Sequence, residues 1–76
     1  MRIEYDREAD ALYIGLTESP VDDNIDIEEG ITLDVDEHRH LVGIEIMDVS
    51  KKMSLKDIAK ITIENLPVEP IETSAA

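Results

Sequence analysis

The sequence predicts a small α+β protein in which two β-hairpins form an antiparallel sheet of four to five strands and one short C-terminal helix covers the apolar face. Apolar and polar residues alternate on both sides of a polar turn in residues 1–16 and again in residues 31–46. Strand side chains point alternately to opposite faces, so this spacing places the large apolar side chains of both hairpins on one face. After Ser50 the apolar residues change to helical spacing.

The register of each hairpin follows from the requirement that its apolar residues share a face. A one-residue slip would move the whole apolar set to the wet side of the sheet, so the register is well specified. With turns at residues 7–10 and 37–40, the predicted cross-strand pairs are Ile3–Ile14 and Tyr5–Leu12 in the first hairpin, and Ile31–Ile46, Leu33–Ile44 and Val35–Val42 in the second.

The connection between the hairpins contains one further predicted element. Pro20 is incompatible with a central strand because proline cannot donate a ladder hydrogen bond. Ile25 and Ile27 alternate with polar residues, which predicts a short extra strand. The Glu29-Gly30 pair that follows predicts a turn or a bulge.

Residues 51–60 predict a single short helix. Ser54, followed three residues later by Asp57, resembles a helix-capping pair, and Leu55 and Ile58 lie on one side. The β-branched residues 61–63 fit either a continuation of this helix or a short strand. We expect one domain over residues 1–66 and a flexible C-terminal tail over residues 67–76, which contain two prolines.

Length and composition limit the size of the core. The 76 residues include no Phe, Trp or Cys, so aliphatic side chains and two tyrosines must supply it. A domain this small buries only about 60% of the surface of its unfolded chain. The sequence therefore predicts a homo-oligomer, dimer or higher, in which a second copy covers leftover apolar surface. The absence of cysteine, of a signal-peptide pattern and of a long apolar run predicts a cytoplasmic protein without membrane contact.

The net charge of −12 is unevenly distributed. Residues 1–50 contain three Arg and fifteen Asp or Glu and carry the whole imbalance, whereas residues 51–76 are neutral overall. Such an acidic surface repels phosphate backbones, so no direct binding to nucleic acid is expected. A basic protein partner suits this charge; the alternative interpretation is that the charge only keeps a small β protein soluble.

The tip of the second hairpin holds the residues that a metal ion would use, namely Asp36, His38 and His40. Imidazole and carboxylate groups are zinc ligands, but two histidines two residues apart at a turn have no diagnostic geometry. The simpler interpretation is a solvated hairpin tip. The sequence therefore predicts no metal and no cofactor, and metal or small-ligand binding stays as an alternative.

The polar face of the sheet holds the candidate partner-binding residues. Asp34 and Glu45 are diagonal neighbours in the predicted register, and two close carboxyl groups can raise one pKa and perform acid–base chemistry. Nothing in the sequence supplies a pocket around them, so we expect an ordinary exposed pair and no catalytic residue. Tyr13 is an aromatic residue on the same acidic face, where it either anchors a partner or packs across strands.

Three ordered blocks of the chain resemble a known family. These are the motif Y-D-x-E-A-D-A-L-Y-I at residues 5–14, G-I-x-L-D-x-D at residues 30–36, and L-V-G-I-E-I-x-D-x-S at residues 41–50. Together they look like a family of small bacterial and archaeal proteins of unknown function that is often called YuzE-like. The resemblance implies no established activity or cofactor. It also implies a possible antitoxin-like role, because some members are thought to be encoded beside small basic toxins.

Three functional hypotheses follow. The leading one is a non-enzymatic interaction module whose acidic sheet face binds another protein, such as a basic toxin. The second is a metal- or small-ligand-binding protein that uses residues 34–40. The third is an enzyme whose site forms only where two subunits meet.

Overall fold

A computed structural model describes residues 1–67 of the chain. It contains an antiparallel sheet of five strands followed by two short helices, which confirms the predicted α+β class. The strands lie side by side in the order β1-β2-β5-β4-β3. The elements are β1 (Arg2–Asp6), β2 (Ala11–Gly15), β3 (Asp23–Glu28), β4 (Ile31–Val35), β5 (Leu41–Ile46), α1 (Val49–Lys52) and α2 (Leu55–Ile58).

The two predicted hairpins meet along β2 and β5, so the sheet is continuous. Strands β3, β4 and β5 form a meander, and the connection from β2 to β3 passes the β4–β5 tip, as in a Greek key. The registers confirm the pairs Ile3–Ile14, Tyr5–Leu12, Leu33–Ile44 and Ile31–Ile46. One row of aliphatic residues, which we call the aliphatic row, crosses all five strands in the order Ile25, Leu33, Ile44, Ile14 and Ile3.

One predicted pair is wrong. Val35 lies opposite Leu41 rather than Val42, because the register shifts between Asp34 and Val35. The regular pairing fails beside the loop, where Asp36 N–H donates to the His40 carbonyl at 2.9 Å and Arg39 has a φ of 67°. Alternation along the sequence cannot reveal a shift that a tight loop imposes.

The predicted extra strand is present as β3, and residues 29–30 form a turn, one of the two alternatives predicted there, whereas the bulge at Ile27 was not predicted. The register slips between Asp26 and Glu28, so Ile27 forms a bulge. Gly30 follows in the turn with a φ of 81°, a left-handed conformation that a residue with a Cβ adopts only at a cost.

The single helix predicted over residues 51–60 is wrong. The chain forms two four-residue helices, with Met53 in an extended conformation between them. Ser54 is the N-cap of α2 and its side chain accepts a hydrogen bond from Asp57 N–H at 3.2 Å, which confirms the predicted capping pair. An N-cap residue has non-helical dihedral angles, so a helix cannot continue through it. Residues 61–63 form neither helix nor strand.

The helix α1 connects the two turns at one end of the sheet. Val49 N–H donates to the Asp10 carbonyl in the first hairpin turn at 3.0 Å. Next to it, Met47 N–H donates to the Gly30 carbonyl in the β3–β4 turn at 2.7 Å. The Val49 side chain is fully buried as a result.

The hydrophobic core of residues 1–67 is small. Its buried apolar side chains are Leu12, Val35, Val42 and Val49. Within the same residues, neither helix is long and apolar enough to cross a membrane. The tail predicted over residues 67–76 lies outside the described residues except for Pro67.

Because Val49 is fully buried, we predict that Val49→Ala lowers the free energy of unfolding by about 2 kcal/mol. The cost comes from lost apolar contacts and the cavity that remains. Urea unfolding followed by circular dichroism measures it. The control is Val21→Ala, which makes the same change at a side chain that is 47% exposed and should cost less than about 0.5 kcal/mol. Equal effects of the two substitutions would show that α1 does not anchor the core.

Candidate functional site

The face of the sheet opposite the aliphatic row carries the candidate site. Two rows of side chains cross this face from β3 to β1. We call their residues the polar face: Asn24, Asp34, Gly43, Gly15 and Arg2 in one row, and Asp26, Thr32, Glu45, Tyr13 and Glu4 in the other. All three predicted partner-binding residues, Tyr13, Asp34 and Glu45, therefore lie on one surface.

The ring of Tyr13 lies close against the backbone on this surface. It lies over Gly43, where a Cβ would come within 2.6 Å of Cζ and 2.8 Å of Cε1. At Gly15, a Cβ would come within 3.0 Å of Cε2. The two glycines thus form a flat backbone floor on which a half-buried tyrosine lies across the sheet.

Asp34 and Glu45 differ from the exposed pair that the sequence suggested. The Asp34 side chain is only 4% exposed. Its carboxylate accepts a hydrogen bond from Asn24 Nδ2 on β3, and its other neighbour in the row is Gly43, beneath the Tyr13 ring. The residues on either side of Asp34 therefore exclude water from it.

The buried Asp34 controls the protonation of Glu45. A hydrogen bond from the protonated Glu45 carboxyl to Asp34, partial burial, and the negative charge of Asp34 raise the pKa of Glu45 from 4.5 to about 6. Each effect disfavours a second negative charge at this position. Glu45 therefore keeps its proton in mildly acidic solution and loses it as pH rises above about 6.

A shallow depression of about 740 Å³ adjoins this pair. Its lining includes Tyr13, Glu45, Glu4 and Arg2. Arg2 Nε is 2.7 Å from Glu4 Oε1, so the one cation of the polar face is already paired with an acid. The surface around Tyr13 is open, acidic and accessible to a large partner.

The candidate metal ligands lie at the opposite end of the second hairpin from α1. The Asp36 carboxylate accepts hydrogen bonds from the backbone N–H of His38 and His40, both at 2.9 Å, and these bonds lower the pKa of Asp36. The two imidazole rings are 6.3 Å apart. In the described part of the chain, no group of three His, Asp or Glu side chains is arranged to hold a metal ion.

A second cluster joins the first hairpin turn to α1. Tyr5 Oη donates to Asp10 Oδ1 at 2.9 Å, and Ser50 Oγ donates to Asp10 Oδ2 at 2.6 Å. Ser50 N–H also points at this carboxylate. Hydrogen bonds from Ser50 first, and then from Tyr5, lower the pKa of Asp10, and the bond to Asp10 raises the pKa of Tyr5.

Sequence reasoning did not assign a role to Asp10, Ser50 or Asn24. Asp10 and Ser50 both belong to the motif blocks, but they are 40 positions apart in the sequence, which gives no sign of their contact. Asn24 is one of the polar residues that alternate with Ile25 and Ile27, and its role depends on β3 pairing with β4. Knowledge of the strand order would have revealed the role of Asn24, because Asn24 and Asp34 lie opposite each other on paired strands.

Taken together, these features define a class: a small, single-sheet α+β protein with one apolar face and one acidic face centred on a tyrosine. The chain belongs to the family described as "Protein of unknown function (DUF2283)", whose model matches residues 2–50. The match covers the whole sheet and the start of α1. No curated protein and no solved structure gave a significant match to the chain.

We predict that Asp34→Asn lowers the pKa of Glu45 from about 6 toward 4.5, because it removes the charge that opposes ionisation. Side-chain carboxyl chemical shifts recorded by NMR against pH measure this change. Asp26→Asn is the matched control on the neighbouring row and should leave the Glu45 pKa near 6. A normal Glu45 pKa in the wild-type chain would contradict the arrangement.

We predict that Ser50→Ala destabilises the fold at neutral pH and that this effect disappears in acid. The folded-state pKa of Asp10 is depressed, so its contribution to stability is present above the unfolded pKa and is lost as pH falls through the folded pKa. Thermal unfolding should show a lowered Tm at about pH 7, and the difference from wild type should vanish as pH falls through the depressed pKa of Asp10. Ser19→Ala, at an exposed loop serine, should change neither value. A Ser50→Ala defect that is independent of pH would exclude this role for the Asp10 carboxylate.

Proposed function

We propose that this chain is a non-enzymatic protein-interaction module whose polar face binds a basic protein. The observation that carries the proposal is the arrangement around Tyr13: a half-buried tyrosine whose ring lies over two glycines, with Glu45 and Glu4 beside it in the same row. Rigid aromatic side chains with a polar tip are typical binding anchors, since little side-chain freedom is lost on contact.

Charge supports a basic partner. The sheet region carries the entire net charge of −12, and Arg2, the one cation of the polar face, is paired with Glu4. An acidic surface of this kind speeds encounter with a cationic protein and disfavours acidic competitors. The resemblance to the YuzE-like proteins suggests a small basic toxin as one such partner.

The protonation of Glu45 should make the strength of this binding depend on pH. Because the Glu45 pKa is about 6, the polar face gains one negative charge as pH rises from about 5 to about 7. Binding of a cationic partner should strengthen over the same interval. This charge sits directly beside the Tyr13 anchor.

The test measures which proteins of the native cell are retained by the immobilised full chain. The wild type is compared with two double variants that have equal net charge. Glu4→Lys with Asp26→Lys reverses two exposed charges on the polar face, and Glu18→Lys with Glu29→Lys reverses two exposed charges away from it. We expect the wild type and the second variant to retain one basic protein at about 50 mM salt and to release it at about 500 mM. The polar-face variant should bind that protein about tenfold more weakly.

Two results would overturn the proposal. One is the absence of any basic protein at low salt. The other is equal weakening by both double variants, which would mean that the overall charge acts without a defined surface.

A further inference from the structure

The apolar face of the sheet is incompletely covered in the described part of the chain. No member of the aliphatic row is among the buried side chains, and Ile3 is 37% exposed. Helix α2 and the segment that follows it also expose apolar side chains, with Leu55 at 54% and Ile61 at 60%. Contiguous exposed apolar surface of this kind marks an interaction site in a soluble protein.

The exposed apolar side chains line a groove of about 540 Å³. One wall is the outer part of the sheet, at β1 and β2, and the other is α2 with the residues that follow it. We call this the apolar groove; the residues used in the argument are Ile3, Tyr5 and Leu12 on the sheet wall, and Leu55, Ile58 and Ile61 on the helix wall.

We propose that the apolar groove is the interface between two copies of this chain. In a dimer with two-fold symmetry, both copies use the same surface patch, rotated by 180° relative to each other. The helix wall of each copy therefore lies on the sheet wall of the other. Leu55 and Ile61 of each copy then cover Ile3 of its partner. The contact closes on itself and ends at two copies.

Charge at the rim of the groove fits a second copy. The helix wall carries Lys56 and Lys60, and within residues 1–67 neither lysine forms an ion pair. The sheet wall ends in the first hairpin turn, where Asp6 and Glu8 flank Arg7. The two-fold arrangement places each pair of lysines next to the acidic turn of the other copy.

Self-repulsion favours this surface over the rest of the molecule. Two copies that each carry −12 repel one another wherever their acidic surfaces meet. Among the described residues, the lining of the apolar groove contains no acidic side chain, and Lys56 and Lys60 of the neutral C-terminal segment lie in and just after α2, which forms one wall.

Tyr5, Arg7 and Leu12 also line the depression beside Tyr13, but the lining of the apolar groove includes neither Tyr13 nor Glu45. The proposed dimer therefore does not rest on the partner binding proposed above.

Sedimentation velocity of the full chain from about 1 to about 300 µM tests the proposal. We expect a monomer–dimer equilibrium, and a Tm that rises with protein concentration because dimerisation stabilises the folded state. Ile61→Glu should weaken the dimer about a hundredfold or more, since it places a carboxylate in the apolar contact. Ile27→Glu is the matched control, because Ile27 is 55% exposed on the far edge strand and should leave the dimer unchanged.

A second pair of variants tests the rim. Lys56→Glu with Lys60→Glu should weaken the dimer more than Lys51→Glu with Lys52→Glu, which has the same net charge but changes α1. Circular dichroism establishes that each variant is folded.

Three outcomes would overturn the proposal. A monomer at every concentration would mean that the groove is free or is occupied by another partner or by residues 68–76. A dimer whose affinity is unchanged by Ile61→Glu would use a different surface. If both pairs of lysine substitutions weakened the dimer equally, the charge complementarity on which the two-fold arrangement rests would be disproved.

Discussion

The fold depends on the segregation of apolar and polar side chains to opposite faces of one sheet. The aliphatic row is possible only if all five strands keep a common register, from Ile25 on β3 to Ile3 on β1. Each strand is short, so no single pairing would be stable alone, and burial of a shared face makes the pairings cooperative. The same segregation concentrates the acidic residues on the other face, so the charge pattern is a consequence of the register as much as of the composition.

The sequence predicted the regular parts of the fold because strand periodicity is a strong local signal. The hairpin registers and β3 were found from alternation alone. The failures occur where one residue breaks the period. The shift at Val35 comes from loop geometry, and the division of the C-terminal helix comes from Ser54 acting as a cap rather than as a helical residue. In both places the sequence pattern predicts the local structure correctly, but it does not predict how that structure affects the residues that follow.

The candidate site was predictable in position but not in environment. Alternation placed Tyr13, Asp34 and Glu45 on one face, and the structure brings them together. Burial of Asp34 could not be read from the sequence, because it depends on the pairing of β3 with β4, which brings Asn24 to Asp34, and on Tyr13 lying over glycines. A glycine that lies diagonal to a large residue on the neighbouring strand, as Gly43 does to Tyr13, carries little periodic signal. It decides how closely the ring approaches the backbone, and with it how much water reaches the carboxylate.

The bulge at Ile27 has a consequence for solubility. Strand β3 is an outer strand of the sheet and has unpaired backbone groups along one side, which could template pairing with strands of other molecules. A bulge interrupts the flat run of such groups and increases the local twist, so an incoming strand finds only a few aligned partners. Asp23 and Asp26 add repulsion along the same border. The irregularity near the end of the β3 ladder thus disfavours edge-to-edge pairing, a hazard for any small sheet protein with an open edge.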